Sequence, residues 1–327
     1  MAELSSGVAR RAPILTLREV TQRFGATAAL SGASLAVRPA EVHALLGPSG
    51  SGKTSLLAIL AGLITPTEGV VRLFGEVVRG PRDLSRSVSV VQAGDGTFYP
   101  RLSALENLVF FARLHGLRRR AAAALADTML DEVGLADVAA KRVGALSPGM
   151  RKRLAIARAM LTDPALVVLD AATRDLDPDE AHAIRVLVSL LAARGAAVVW
   201  ATQHVDEIRG FADTVTFLDG GVVRYSGSLA GLIARGRPNR FVLRLRGTFP
   251  SGPMGRSLLQ RVLHGTATVA LPRADDPEHV VLEPQEDHTI GDAIAALAQG
   301  GFLVLACRPE RSALEESFLE LQLRGAE

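Results

Sequence analysis

Gly47-Pro48-Ser49-Gly50-Ser51-Gly52-Lys53-Thr54 is the stretch that decides the fold of this 327-residue chain. It reads G-x-x-x-x-G-K-T, the P-loop pattern. Glycines at 47, 50 and 52 let the backbone turn tightly and aim several N–H groups into one concavity, which suits phosphate oxygens. Lys53 adds a positive charge for β- and γ-phosphates, and the Thr54 hydroxyl is a ligand for Mg²⁺. A helix opening near Ser55 points its positive end at the same place. The flanks supply the context the motif needs. Glu41 to Leu46 is a short, largely apolar strand, and Ser55 to Ala61 is a helix ended by Gly62. A chance match in a glycine-rich chain would not bring strand, loop and helix in that order. The phosphate-binding residues are therefore read as Gly47, Pro48, Ser49, Gly50, Ser51, Gly52, Lys53, Thr54 and Ser55.

Composition bounds the rest. The length suits two domains, and 48% apolar residues supply a large core. A net charge of +3 with no massed basic tract argues against a dedicated nucleic-acid binder, so no nucleic-acid partner is expected. The single cysteine, Cys307, excludes an internal disulfide and a cysteine metal cluster. It also fits a reducing, cytoplasmic location. No apolar run approaches the ~20 residues that cross a bilayer, and Met1 to Ala12 lacks a signal-peptide core. Work at a membrane would need a partner to carry the chain there.

In order, residues 1–12 read as a flexible polar tail. Ile14–Leu17, Leu35–Val37, Val70–Phe74 and Val88–Val91 read as strands, the last leading into Gln92 and a loop at 93–96. Ser103-Ala-Leu-Glu106 is a capping box opening a helix, and residues 117–142 have helical spacing. Ser147-Pro148 opens another helix, with Ser as cap and Pro at the first turn. Strands return at Leu166–Leu169, ending in Asp170, and at Ala197–Trp200, with a helix from Asp179 to Ala193 between them. Val215–Leu218 and Gly221–Tyr225 read as a hairpin. The composition turns linker-like at 236–240. Residues 241–327 then read as a small α+β accessory domain whose last helix is capped by Ser312.

Several positions join the P-loop into one constellation. Asp170, at the end of an apolar strand, can hold the Mg²⁺ that bridges nucleotide phosphates. Gln92 follows a strand, Leu146-Ser147-Pro148-Gly149 opens a helix, Asp175-Leu-Asp177-Pro178 precedes one, and His204 follows a strand. In this order the chain resembles the ATP-binding cassette (ABC) ATPase family over residues 14–230. The resemblance implies an α/β P-loop NTPase of ABC type: a RecA-like core, an antiparallel β subdomain and a helical subdomain at about 99–160, within a nucleotide-binding domain at 13–235. It implies ATP and Mg²⁺ as cofactors, with Thr54, Gln92 and Asp170 at the metal and Phe24 stacked on adenine. By the same resemblance, Ser147 and Gly149 form the signature that meets the γ-phosphate bound to an opposing subunit. Asp177 belongs to the D-loop and His204 is the switch histidine.

The departures are as informative. The family has Glu after the Walker B Asp, as base or water-positioner, and this chain has Ala171. Such a group supplies about 10²–10⁴-fold in rate, so binding is expected to survive while own-site hydrolysis is weak. Asp179 and Glu180 read as first-turn helix acids rather than substitute bases. The usual Gly before the D-loop Leu is Asp175, and the signature reads Leu-Ser-Pro-Gly-Met.

The run Phe98 to Asn107, the Met150 variant and the end Ser312 to Glu320 resemble ATPase subunits of exporters for drugs, sodium or polysaccharides. That implies a chain peripheral on the cytoplasmic face of the cell membrane, with a membrane permease and a second nucleotide-binding subunit as partners. The alternative is a non-hydrolysing regulatory subunit paired with an intact ATPase. Soluble ABC proteins of repair or translation carry tandem cassettes or long coiled-coil inserts, and neither is present.

Overall fold

The computed structural model describes residues 12–84, 87–92, 98–236, 240–246, 253–270, 279–285 and 287–323. The tail at 1–11, the loop at 93–96 and linker residues 237–239 lie outside them. Contacts divide the chain into Met1–Ala230 and Gly231–Glu327.

The first unit opens with β1 (Leu15–Phe24), β2 (Thr27–Val37), β3 (Val42–Leu46) and α1 (Lys53–Leu60). β4 (Glu68–Leu73), β5 (Glu76–Val77), α2 (Pro81–Leu84) and β6 (Val88–Val91) follow. A helical block of α3 (Ala104–Leu114), α4 (Arg119–Glu132) and α5 (Pro148–Met160) then interrupts the strands. β7 (Leu166–Asp170), α6 (Pro178–Ala193), β8 (Ala197–Thr202), β9 (Thr214–Asp219) and β10 (Val222–Ser228) complete it, and α7 (Leu229–Ile233) leads into the second unit.

Two sheets carry the unit. One is antiparallel in the order β2-β1-β4-β5; the other runs β10-β9-β3-β8-β7-β6. In the second sheet β9, β3, β8, β7 and β6 are parallel and only β10 is antiparallel. β3 is buried along its whole length and β7 along all but Asp170, as strands covered on both faces must be. The architecture is the α/β mixed-sheet arrangement expected. β1 and β2 are longer than the sequence pattern marks them. Their pairing shifts register between Leu17 and Val20, between Val20 and Gln22, and between Gln22 and Arg23. Each shift breaks the period-two alternation by which a strand is recognised.

Local signals place the helices. Ser103 caps α3 in a full capping box: its side chain accepts from the Glu106 N–H, and the Glu106 carboxylate accepts from the Ser103 N–H at 2.7 Å. Ser147 caps α5 with Pro148 in the first turn, and Asp177 caps α6 in the same manner with Pro178.

The second unit has β11 (Phe241–Leu245), α8 (Pro253–Leu263), β12 (Ala267–Ala270), β13 (His279–Pro284), α9 (Ile290–Gln299), β14 (Val304–Pro309) and α10 (Ala313–Leu323). Its sheet runs β12-β13-β11-β14, and its own core includes Leu243, Leu245, Leu259, Leu263, Val280, Leu282 and Leu297.

A polar chain runs from buried Glu41, His43 and Thr216 out to the exposed Ser226. His43 Nδ1 meets Thr214 Oγ1 at 2.7 Å and its Nε2 meets Thr216 Oγ1 at 3.0 Å. Thr214 donates to Glu41, and Thr216 pairs with Ser226 at 3.0 Å. Burial pushes the Glu41 carboxyl up, but hydrogen bonds with His43 and Thr214, the His43 charge and the Arg38 N–H together hold it below the usual range. A depressed carboxyl stabilises the fold above its unfolded value and loses that contribution as pH falls through the folded one. Glu41→Gln should therefore cost about 1–3 kcal/mol near neutral pH. Thermal melts across pH should show this gap closing below about pH 4.

Candidate functional site: a phosphate cradle at the end of β3

The loop between β3 and α1 is shaped by close backbone approaches. A Cβ at Gly47 would strike the Leu218 carbonyl, and one at Gly52 would strike the Ala29 carbonyl. Gly50 and Gly52 adopt left-handed φ of 78° and 102°, which favour glycine. The β9–β10 hairpin buttresses the turn: the Gly221 N–H donates to the Ser51 carbonyl at 3.0 Å. Gly221 is itself left-handed, at φ 79°. The sequence pattern marks this hairpin but not its role at the P-loop; the Gly220-Gly221 pair is the signal that it comes close to another backbone.

Lys53 Nζ donates to the Gly47 carbonyl at 2.8 Å, the Pro48 carbonyl at 2.7 Å and Ser51 Oγ at 3.3 Å. Burial pulls the ammonium below its ordinary value, the Asp170 charge opposes this, and the Arg174 charge adds to it. Lys53, Asp170 and Arg174 thus share one electrostatic neighbourhood, although Arg174 was not marked in the sequence. Thr54 is exposed at the start of α1, and Ser55 follows half-buried. Glycine-shaped backbone, a lysine inside the concavity, a helix N-terminus, a free hydroxyl and a half-buried carboxylate make a donor set that fits a nucleotide triphosphate with Mg²⁺.

β7 and β8 run parallel with Asp170 opposite Ala201. The Ala171 N–H donates to the Ala201 carbonyl at 3.0 Å. This places Asp170 and Ala171 beside the end of β8, three residues before His204, whose N–H donates to Thr202 Oγ1 at 3.0 Å. Ala171 lies at φ 44° and Asp175 at φ 63°, both left-handed. A non-glycine residue there costs about 1–2 kcal/mol, and such strain concentrates at functional turns. The backbone at 175 explains why glycine suits that position; Asp is among the few other residues that tolerate it. Gln92 is exposed at the end of β6 and Phe24 is 54% exposed at the end of β1.

Ser147 and Gly149 lie at the N-terminus of α5, where the Met150 N–H donates to Ser147 Oγ at 3.1 Å. Sequence reading missed their neighbour. Ser147 Oγ donates to Glu180 Oε1 at 3.3 Å, and a Cβ at Gly149 would fall on the Glu180 carboxylate. Asp177 is exposed, its carboxylate accepting the Glu180 N–H at 2.8 Å. The pattern Asp177-x-x-Glu180 has the form of a capping box, yet Glu180 turns to the other helix instead.

A model of the family described as ABC transporter matches residues 30–174. The daunorubicin resistance ATP-binding protein DrrA3 of Streptomyces coeruleorubidus is 30% identical over 310 residues, covering 94% of this chain and 95% of that protein. The chain belongs to the ABC transporter ATP-binding family. The Nod factor export ATP-binding protein I of Burkholderia lata is 37% identical over 211 residues, covering 64% of this chain and 69% of that protein. Among solved structures, a dimeric ATP-binding cassette in a post-hydrolysis state bound to ADP and Pi matches with TM-score 0.59 and 27% identity, over 66% of this chain and 98% of its own. This ABC chain is thus an ATP-binding subunit with exporter-type relatives, in a family that binds and hydrolyses nucleotide. No helix among the described residues is long and apolar enough to cross a membrane.

The helical block carries a group of packed aromatic residues. Tyr99 packs edge-on to Phe110 at 4.9 Å, and Arg158 lies 5.1 Å from the ring centres of both Phe98 and Phe111. The fully buried Asn107 fixes this turn: its Oδ1 accepts the Tyr99 N–H at 2.9 Å, and its Nδ2 donates to the carbonyls of Tyr99 at 3.1 Å and Ser103 at 2.9 Å. Asn107→Leu should cost about 2–3 kcal/mol in chemical denaturation, because buried backbone groups lose their partners. Nucleotide affinity of the folded variant should stay unchanged.

Proposed function

We propose that the chain is the motor-side subunit of an ABC exporter, binding Mg-ATP in the cradle formed by residues 47–55. Phe24 stacks on the adenine. Lys53 and the loop N–H groups hold the β- and γ-phosphates, and Thr54, Asp170 and Gln92 hold the Mg²⁺. Magnesium keeps most of its ligands from water and phosphate, so a single carboxylate suffices. Asp170 would position the metal, which when bound would offset phosphate charge, and Lys53 lies in the field of that carboxylate. Ser147 and Gly149 serve the γ-phosphate of a second nucleotide-binding subunit, with Asp177 and His204 flanking the shared interface. The chain then sits on the cytoplasmic membrane face through a permease. Half-buried Phe98, Leu102 and Phe110, with exposed Tyr99, receive a permease helix. The domain boundaries follow the composition: cassette at 13–235, linker at 236–240, accessory domain at 241–327.

The observation that carries the hydrolysis reading is Ala171, a methyl group on the left-handed turn directly after Asp170. In the first turn of α6, Glu180 is engaged with Ser147 and Asp179 is exposed. The chain's own site is therefore a binding site with weak turnover. An intact partner subunit would make the pair a composite motor in which this chain regulates closure.

The test is ATP turnover of the purified chain beside Ala171→Glu and Lys53→Ala, with nucleotide binding followed in parallel. Binding without appreciable turnover, raised about 10²–10⁴-fold by Glu at 171, is expected. Substantial turnover in the unaltered chain, abolished by Lys53→Ala, would contradict the reading.

A further inference from the structure

Ser147 Oγ carries one proton. In this chain that proton is directed to Glu180 Oε1 at 3.3 Å, while the Met150 N–H occupies one of the oxygen's lone pairs at 3.1 Å. The hydroxyl therefore has no hydrogen left to offer an incoming phosphate. The Glu180 carboxylate also lies directly against Gly149, where a Cβ has no room. It thus places a negative charge at the positive end of the 13-residue helix α5, where a phosphate would otherwise be drawn. Glu180 comes from the first turn of α6, whose cap Asp177 accepts the Glu180 N–H at 2.8 Å. Signature and D-loop are tied together through this one residue.

We propose that Glu180 is a positioning residue that withholds the signature from phosphate, so that closure on a partner's nucleotide must first break the Ser147–Glu180 hydrogen bond. The inference rests on the reading that Ser147 and Gly149 serve a nucleotide held by a second subunit. In the open chain the carboxylate satisfies the helix terminus. On closure the γ-phosphate replaces it, the Ser147 hydroxyl keeps its proton and redirects its hydrogen bond to a phosphate oxygen, and Glu180 turns out toward solvent. Loss of the carboxylate also removes one tie between α5 and α6, so signature engagement and D-loop position change together. Closure then needs more ATP than it would in a chain without an acid at 180.

The experiment is the dependence of dimer formation on Mg-ATP, followed by sedimentation velocity of the full chain. Glu180→Ala should lower the ATP concentration for half-maximal dimer about tenfold. Glu180→Gln, which keeps an acceptor for Ser147 but removes the charge, should lower it about threefold. Ser147→Ala should raise it, and adding Glu180→Ala to Ser147→Ala should recover much less than the tenfold gain, since Glu180 acts through that hydroxyl. A merely structural Glu180 would give a change independent of Ser147. If Glu180→Ala does not fold, the Gln variant alone decides. No leftward shift, or an undiminished gain in the Ser147→Ala background, overturns the inference and leaves the functional reading standing. ATP bound normally with no dimer in any of these chains overturns the inference and leaves the functional reading standing with a different partner subunit.

Discussion

Everything in the first unit depends on one steric constraint: the backbone from Gly47 to Gly52 passes so close to the Leu218 and Ala29 carbonyls that no side chain fits at either end. That closeness lets the N–H groups of the loop converge. It also dictates the sheet order, because β9 must lie beside β3 for Leu218 to reach Gly47, and β2 must reach across for Ala29 to meet Gly52. The hairpin of β9 and β10 then locks the turn through Gly221 and Ser51. Lys53 is pinned inside by carbonyls that leave its ammonium facing the same concavity as Asp170.

Charge organises the site around that turn. Burial weakens the proton hold of Lys53 and Asp170 strengthens it. The usual second carboxylate is missing at 171, and Arg174 adds a positive charge nearby. The balance at the cradle therefore leans further toward anion binding than a site with both acids would. Of the two acids in the first turn of α6, Glu180 hydrogen-bonds the signature serine and Asp179 is exposed. On the proposed reading, this distribution of carboxylates favours holding a phosphate and delays clasping a second one.

Much of this was legible in the sequence because it is local. A glycine turn with Lys and Thr, the Ser103-x-x-Glu106 box, and Ser147 followed by Pro each fix geometry within a few residues, and both caps occur as read. Buried parallel strands announced themselves as unbroken apolar runs, as at Leu166–Leu169. What the sequence hid was non-local. β1 and β2 were read too short because bulges break their alternation. Glu180 meets Ser147 across 33 residues, and its place as a first-turn helix acid gives no sign of that partner. The Gly221 buttress of the P-loop lies far along the chain, and no motif spans that distance. Departures that looked like defects gained meaning from φ: Asp175 occupies a left-handed position that glycine ordinarily fills, so the turn survives the substitution.

The central claim is that this cradle retains Mg-ATP without cleaving it. The most direct measurement is the chemical identity of the nucleotide recovered from the folded chain after incubation with limiting labelled ATP and Mg²⁺, with enzyme in excess. The account predicts intact ATP after many minutes, bound stoichiometrically. Rapid, complete conversion to ADP and phosphate on the chain would contradict it and would mean that another group positions the attacking water.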